Sequence, residues 1–108
     1  MIWLLVYYTT ITIIMKVKHK YMIKIENLFD NIEYFNCVNN KITKIENLPS
    51  CLKIFYCSTN KITKMENLPN GIKELYCSYN QISKMENIPE SLKELYCSYN
   101  QISKIENL

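Results

Sequence analysis

The chain is predicted to fold as a β-rich α/β solenoid, a right-handed coil with one parallel strand per 20-residue turn and short 3₁₀ or extended convex returns. Three observations predict it. Residues 72–87 and 92–107, I-K-E-L-Y-C-S-Y-N-Q-I-S-K-M-E-N and L-K-E-L-Y-C-S-Y-N-Q-I-S-K-I-E-N, differ at two positions. Looser copies occupy 52–67 and 32–47, where apolar residues recur at Phe55, Ile62 and Met65 and at Phe35, Ile42 and Ile45. Asparagine recurs at Asn40, Asn60, Asn80 and Asn100, where each strand must give way to a turn.

Residues 1–21 read as an apolar N-terminal segment with a degenerate cap, and residues 22–108 as the repeat region, with strands opening near 32, 52, 72 and 92. The run M-I-W-L-L-V-Y-Y-T-T-I-T-I-I-M ends at Lys16. It is shorter than the ~20 apolar residues a spanning helix needs, and it lacks the basic start and small-residue cleavage site of a secretory signal. Met15 and Val17 fall 20 residues before Phe35 and Cys37, as a worn first strand would. A cap or a misplaced start is therefore expected ahead of a membrane anchor, although Lys16, Lys18 and Lys20 would suit an anchor with the repeats in the cytosol. Met22, Ile25 and Leu28, 20 residues before Ile42, Ile45 and Leu48, mark a degenerate unit, with Lys20 in place of the expected asparagine.

Within a unit, strand alternation sends Leu75 and Cys77 inward and Tyr76 and Ser78 outward. A single unit cannot bury its apolar set, but units stacked ~4.8 Å apart place like positions in columns and build one core. Each column asparagine carries both donor and acceptor, so it can satisfy backbone groups of adjacent turns that burial would otherwise leave unpaired. Pro49, Pro69 and Pro89 sit on the return path, where a missing N–H costs little. About a dozen residues remain per turn for bends and return, too few for an α-helix with its own loops, so the backs are expected to be extended or 3₁₀.

Laid on the pattern L-x-x-L-x-L-x-x-N-x-L, one unit supplies Leu52, Phe55, Cys57, Asn60 and Ile62, then Met65 and Leu68. The next two supply Ile72, Leu75, Cys77, Asn80 and Ile82, and Leu92, Leu95, Cys97, Asn100 and Ile102. On these residues the chain resembles the leucine-rich-repeat family over about residues 15–108. The wording Y-C-S-x-N-x-I-x-K-x-E-N-L-P is similar to the short-repeat proteins of giant amoebal viruses of the mimivirus group. Leu48-Pro49 and Leu68-Pro69 are similar to short bacterial repeats. The resemblance implies a curved, parallel-stranded solenoid with a binding role, and it names no ligand.

Thirteen lysines, ten acidic residues and no arginine leave a formal charge of +3 without the arginine-rich stripe of a nucleic-acid binder. No nucleic-acid partner is expected. Cys37, Cys57, Cys77 and Cys97 recur at the repeat spacing. Side chains projecting in parallel from successive rungs do not converge on a tetrahedral metal, so buried core thiols are expected and no metal. Cys51 lies off that column as the candidate reactive thiol, and the odd total of five opposes a closed disulfide set. With one histidine, His19, and no H-E-x-x-H, G-x-S-x-G or phosphate-cradling glycine loop, neither an enzyme nor a cofactor is expected.

The candidate partner-binding residues are Tyr34, Tyr56, Tyr76, Tyr79, Tyr96 and Tyr99 on the outward strand face, edged by Glu74 and Glu94. Tyrosines in such a group bury large area and are common hot spots. The competing reading is that the rings stack up the column and only shield the sheet. Lys44, Lys64, Lys84 and Lys104 beside Glu46, Glu66, Glu86 and Glu106 read as a solvated, neutralised back. The expected function is a module that binds a protein partner, in the cytoplasm or, for a viral chain, the host cytoplasm. The alternative is a membrane-tethered or self-associating structural repeat protein. Leu108 stands in phase with Leu48 and Leu68 without a polar cap, so a truncated copy, or self-association through that end, is expected.

Overall fold

A computed structural model describes residues 21–105 of the chain. The apolar run 1–15, Val17, His19, Glu106 and Leu108 lie outside the described residues, and with them the expected cap, anchor and self-associating end. In chain order the strands are β1 (Tyr34–Asn36), β2 (Ile54–Tyr56), β3 (Lys64–Met65), β4 (Glu74–Tyr76), β5 (Lys84–Met85), β6 (Glu94–Tyr96) and β7 (Lys104–Ile105). Two parallel sheets result, one ordered β1-β2-β4-β6 and the other β3-β5-β7.

Every strand pair is offset by one repeat, so sequence columns become spatial columns. Phe35 faces Phe55, which faces Leu75, which faces Leu95. Pairing continues past the strands, with the Cys57 N–H donating to Tyr76 O at 2.8 Å and the Cys77 N–H to Tyr96 O at 2.8 Å. The inward set builds one seam in which Ile25, Phe35, Cys37, Ile42, Ile45, Leu52, Phe55, Cys57, Ile62, Met65, Ile72, Leu75, Cys77, Ile82 and Met85 are fully buried. Each large apolar side chain in that seam contributes ~1.5–3 kcal/mol, which no single unit could collect without its neighbours.

The returns are extended, and the described residues contain no helix, 3₁₀ or otherwise. The 3₁₀ option therefore drops out. The returns also pair into a sheet of their own, with Lys64, Lys84 and Lys104 in one register and Met65, Met85 and Ile105 in the next. Further bonds extend it, such as Ser83 N–H to Thr63 O at 3.0 Å. The physical reason is economy of donors, because an extended back offers its amides to the next turn, whereas a helical turn would spend them within its own.

Bends close each turn. Leu52, Ile72 and Leu92 donate their N–H to Pro49, Pro69 and Pro89 O at 3.1–3.2 Å, and in the first unit Ile32 donates to Phe29 O at 3.2 Å. At two other corners the backbone is left-handed. One column is Asn27, Asn47, Asn67 and Asn87, with φ of 51–59°. The other, immediately before the column asparagines, is Asn39, Thr59, Tyr79 and Tyr99, with φ of 54–61°. Asparagine tolerates this region, but a residue with a bulky or branched β-carbon is strained there by ~1–2 kcal/mol. Thr59 is exposed and branched, so Thr59→Asn should stabilise the protein by ~1 kcal/mol and raise Tm by ~4 °C or more, read by thermal circular dichroism. An unchanged or lower Tm would show that the corner carries no strain to relieve.

Candidate interaction face

The outward side of β1, β2, β4 and β6 carries two columns of side chains, and the corner beyond the strands carries a further tier. Asn36, Tyr56, Tyr76 and Tyr96 share one register. The Tyr56 and Tyr76 rings lie 4.3 Å apart at 4°, and those of Tyr76 and Tyr96 lie 4.8 Å apart at 4°. The rung spacing of a parallel sheet sets this stack, since side chains fixed ~4.8 Å apart leave flat rings little choice but to overlap. Tyr34 does not begin this column. Its register is that of Ile54, Glu74 and Glu94, and its ring tilts across to Tyr56 at 5.4 Å and 47°.

Tyr79 and Tyr99 form a second tier on the left-handed corner, with rings 4.4 Å apart at 8°. They are the more exposed pair, at 55% and 72%, against 49% for Tyr96 and a half-buried state for Tyr56 and Tyr76.

Glu74 and Glu94 stand directly opposite each other in the register. The Tyr76 hydroxyl donates to Glu74 Oε1 at 2.6 Å. That bond and the carboxylate's charge push the Tyr76 hydroxyl well above the usual phenol range. Glu74 in turn holds the Glu94 carboxyl above the usual carboxylate range, through hydrogen bonding and then like-charge repulsion.

The return sheet is neutralised. Lys64 Nζ lies 3.0 Å from Glu86 and 3.1 Å from Glu66, and Lys84 Nζ lies 2.7 Å from Glu86. Hydrogen bonds from Lys84 and Lys64 hold the Glu86 carboxyl below its ordinary value. Such exposed pairs contribute little stability each, but they interleave the signs and cancel the charge of stacked lysines.

Inside the coil, Asn60 Nδ2 donates to Cys37 O and Cys57 O at 3.0 Å and to Ser58 O at 3.2 Å, while its Oδ1 accepts from Ile42 N at 3.0 Å. Asn80 and Asn100 repeat the set one and two rungs on. Asn40 donates to Cys37 O at 2.8 Å and accepts from Met22 N at 2.7 Å. A second asparagine column shows in the sequence only as the E-N pair of each unit. Asn47 Nδ2 donates to Ile25 O at 3.0 Å and Asn67 Nδ2 to Ile45 O at 3.1 Å, each from a left-handed corner.

Cys37, Cys57 and Cys77 are buried free thiols, Cys97 is half-buried and Cys51 is exposed. Burial pushes Cys37 and Cys77 up to about 12 and Cys57 well above the ordinary thiol value. That makes the column poor in nucleophilic thiolate.

A family profile described as FNIP Repeat matches residues 60–100, a window running from one column asparagine to another two periods on. Among solved structures, YopM from Yersinia enterocolitica WA-314 superposes with a TM-score of 0.73 at 25% sequence identity, over 82% of this chain and 20% of YopM. The chain has the fold of a leucine-rich-repeat protein, a coil of parallel strands. No curated protein matches it. The chain spans about a fifth of the length of the YopM structure, so the likeness carries the coil and its parallel strands.

Proposed function

We propose that the chain is a non-catalytic interaction module that holds a protein partner against its tyrosine-lined strand face. One observation carries the reading. Tyr79 and Tyr99 occupy left-handed corners with φ of 57° and 54°, where Asn39 stands in an earlier unit, and they remain exposed and stacked. Tyrosine is the wrong residue there for stability, and strain of this kind persists where a surface is used for something else. The likeness to leucine-rich-repeat proteins supports a binding role, and the similarity of the repeat wording to giant-virus proteins makes a host-cytoplasmic setting part of the proposal.

The test separates stability from binding. Tyr79→Asn with Tyr99→Asn should raise Tm by relieving both corners, yet weaken capture of a partner by ~10-fold or more, as the loss of aromatic anchors does. Tyr76→Ala with Tyr96→Ala should also abolish capture with the circular dichroism spectrum retained. A partner captured from cell lysate that both double variants bind as well as the parent would remove the tyrosine face from the function.

A further inference from the structure

We propose that the occupant of the tyrosine face is an extended polypeptide segment that places an arginine side chain across Glu74 and Glu94. This deepens the interaction-face reading and rests on it. The two sheets treat their carboxylates in opposite ways. On the return sheet Glu66 and Glu86 are each met by a lysine ammonium at 2.7–3.1 Å. On the strand sheet, among the described residues, no ion pair reaches Glu74 or Glu94, even though Lys73 and Lys93 precede them in sequence. The hydrogen-bonding neighbour of Glu74 is the Tyr76 hydroxyl at 2.6 Å, and the neighbour of Glu94 is Glu74 itself. Two like charges held one rung apart destabilise each other, and a cation supplied from outside removes that cost.

The stacking decides what kind of cation fits. Tyr76 has a ring against each face, Tyr56 at 4.3 Å and Tyr96 at 4.8 Å, so no cation can settle on its π-cloud. What the column presents outward is ring edges and hydroxyl oxygens, bordered by carboxylates, a row dominated by acceptors. An arginine answers it with five N–H donors in a planar fork and no acceptor, whereas lysine offers one compact ammonium. Carboxylates one rung apart, ~4.8 Å in a parallel sheet, lie within the span of one guanidinium donating to both. The aliphatic stem then lies along the half-exposed Tyr96 edge. A phosphate backbone is excluded by the same acidic edge, which leaves a basic peptide as the occupant.

The experiment titrates the full chain with a short synthetic peptide of alternating Arg and Ser, and with Lys/Ser and Glu/Ser peptides of equal length. Binding is read at low ionic strength by calorimetry and amide chemical-shift mapping. The Arg/Ser peptide should bind most tightly, with shifts centred on Glu74, Tyr76, Glu94 and Tyr96. Glu74→Gln with Glu94→Gln, near-isosteric changes, should weaken it by ~10-fold or more with Tm unchanged or raised. No binding of the Arg/Ser peptide, equal binding of the Lys/Ser or Glu/Ser peptide, or an affinity untouched by the glutamines would overturn the proposal. A cellular partner lost with Tyr76→Ala and Tyr96→Ala but kept with the glutamines would also overturn it, while leaving the interaction face standing. A partner kept in both, and in Tyr79→Asn with Tyr99→Asn, would remove the face as well.

Discussion

Asn80→Ala is expected to cost on the order of 3–5 kcal/mol, enough to unfold a domain of this size at physiological temperature. Asn80 is buried at 8% exposure, and one amide serves two rungs, donating to Cys57 O, Cys77 O and Ser78 O at 3.0–3.3 Å and accepting from Ile62 N at 3.1 Å. Removing it forfeits ~1 kcal/mol per bond and leaves backbone groups buried without partners, at ~1–3 kcal/mol each where water cannot reach. Asn100 makes the same set of bonds but is half-buried, so water can replace it, and Asn100→Ala should cost ~1–2 kcal/mol. Asn80→Asp should be as damaging as alanine at neutral pH, because a carboxylate still accepts from the Ile62 N–H but turns a negative charge on the three carbonyls. Protonation restores one donor, so the aspartate variant should recover stability as pH falls. Urea unfolding of the three variants checks this. Equal, small losses at Asn80 and Asn100 would mean that the amide does not couple the rungs.

The columns were legible because a parallel coil translates sequence period directly into spatial register. Phe35, Phe55 and Leu75 are paired by one rule, and so are Asn60 and Asn80 in their hydrogen bonds. Where the repeat degenerates, that rule weakens. In the first unit Y-F-N replaces E-L-Y, so Tyr34 falls in the glutamate register and Asn36 in the tyrosine register, and only the tilt of the Tyr34 ring returns it to the aromatic group.

The return sheet had no signature that period alone could supply, since Lys64–Met65 and Lys84–Met85 are strands of two residues. A pair of residues is too short to show alternation, and such strands exist through their neighbours. The left-handed corners at Tyr79 and Tyr99 were hidden for the opposite reason. Local propensity argues against an aromatic residue at positive φ, and the coil overrides it because the corner recurs at a fixed place in every turn. Exposure of the Tyr79 and Tyr99 tier follows from that corner, which sequence could locate in register but not in conformation.

Alkaline unfolding is the other large effect expected. Cys37 and Cys77 stand at about 12 in the folded protein against 9.0 for an ordinary thiol, and Cys57, between them, is raised in the same direction by burial and by both neighbours. A raised folded value means that the native state holds the proton more tightly than the unfolded chain. The stabilisation is therefore whole below pH 9 and is lost between about 9 and 12, as the unfolded thiols ionise and the native ones cannot. Each tenfold gain in proton affinity on folding corresponds to ~1.4 kcal/mol, so by pH ~11 Cys37 and Cys77 each withdraw on the order of 2–3 kcal/mol. Those two losses, with Cys57 acting in the same direction, rival the net stability of a small domain. Two other groups push the same way, because Glu74 keeps the Tyr76 hydroxyl protonated and Glu86 keeps the Lys64 ammonium charged in the fold. Circular dichroism against pH, in reductant and at fixed ionic strength, should show a cooperative loss of structure before pH ~11, coincident with the thiolate absorbance. Cys57→Ala removes one of the three linked protons, so its transition should be less steep in pH even if its stability at neutral pH falls. A parent that keeps its structure beyond that range, or a variant with an unchanged slope, would mean that the thiol column is hydrated enough to ionise inside the coil.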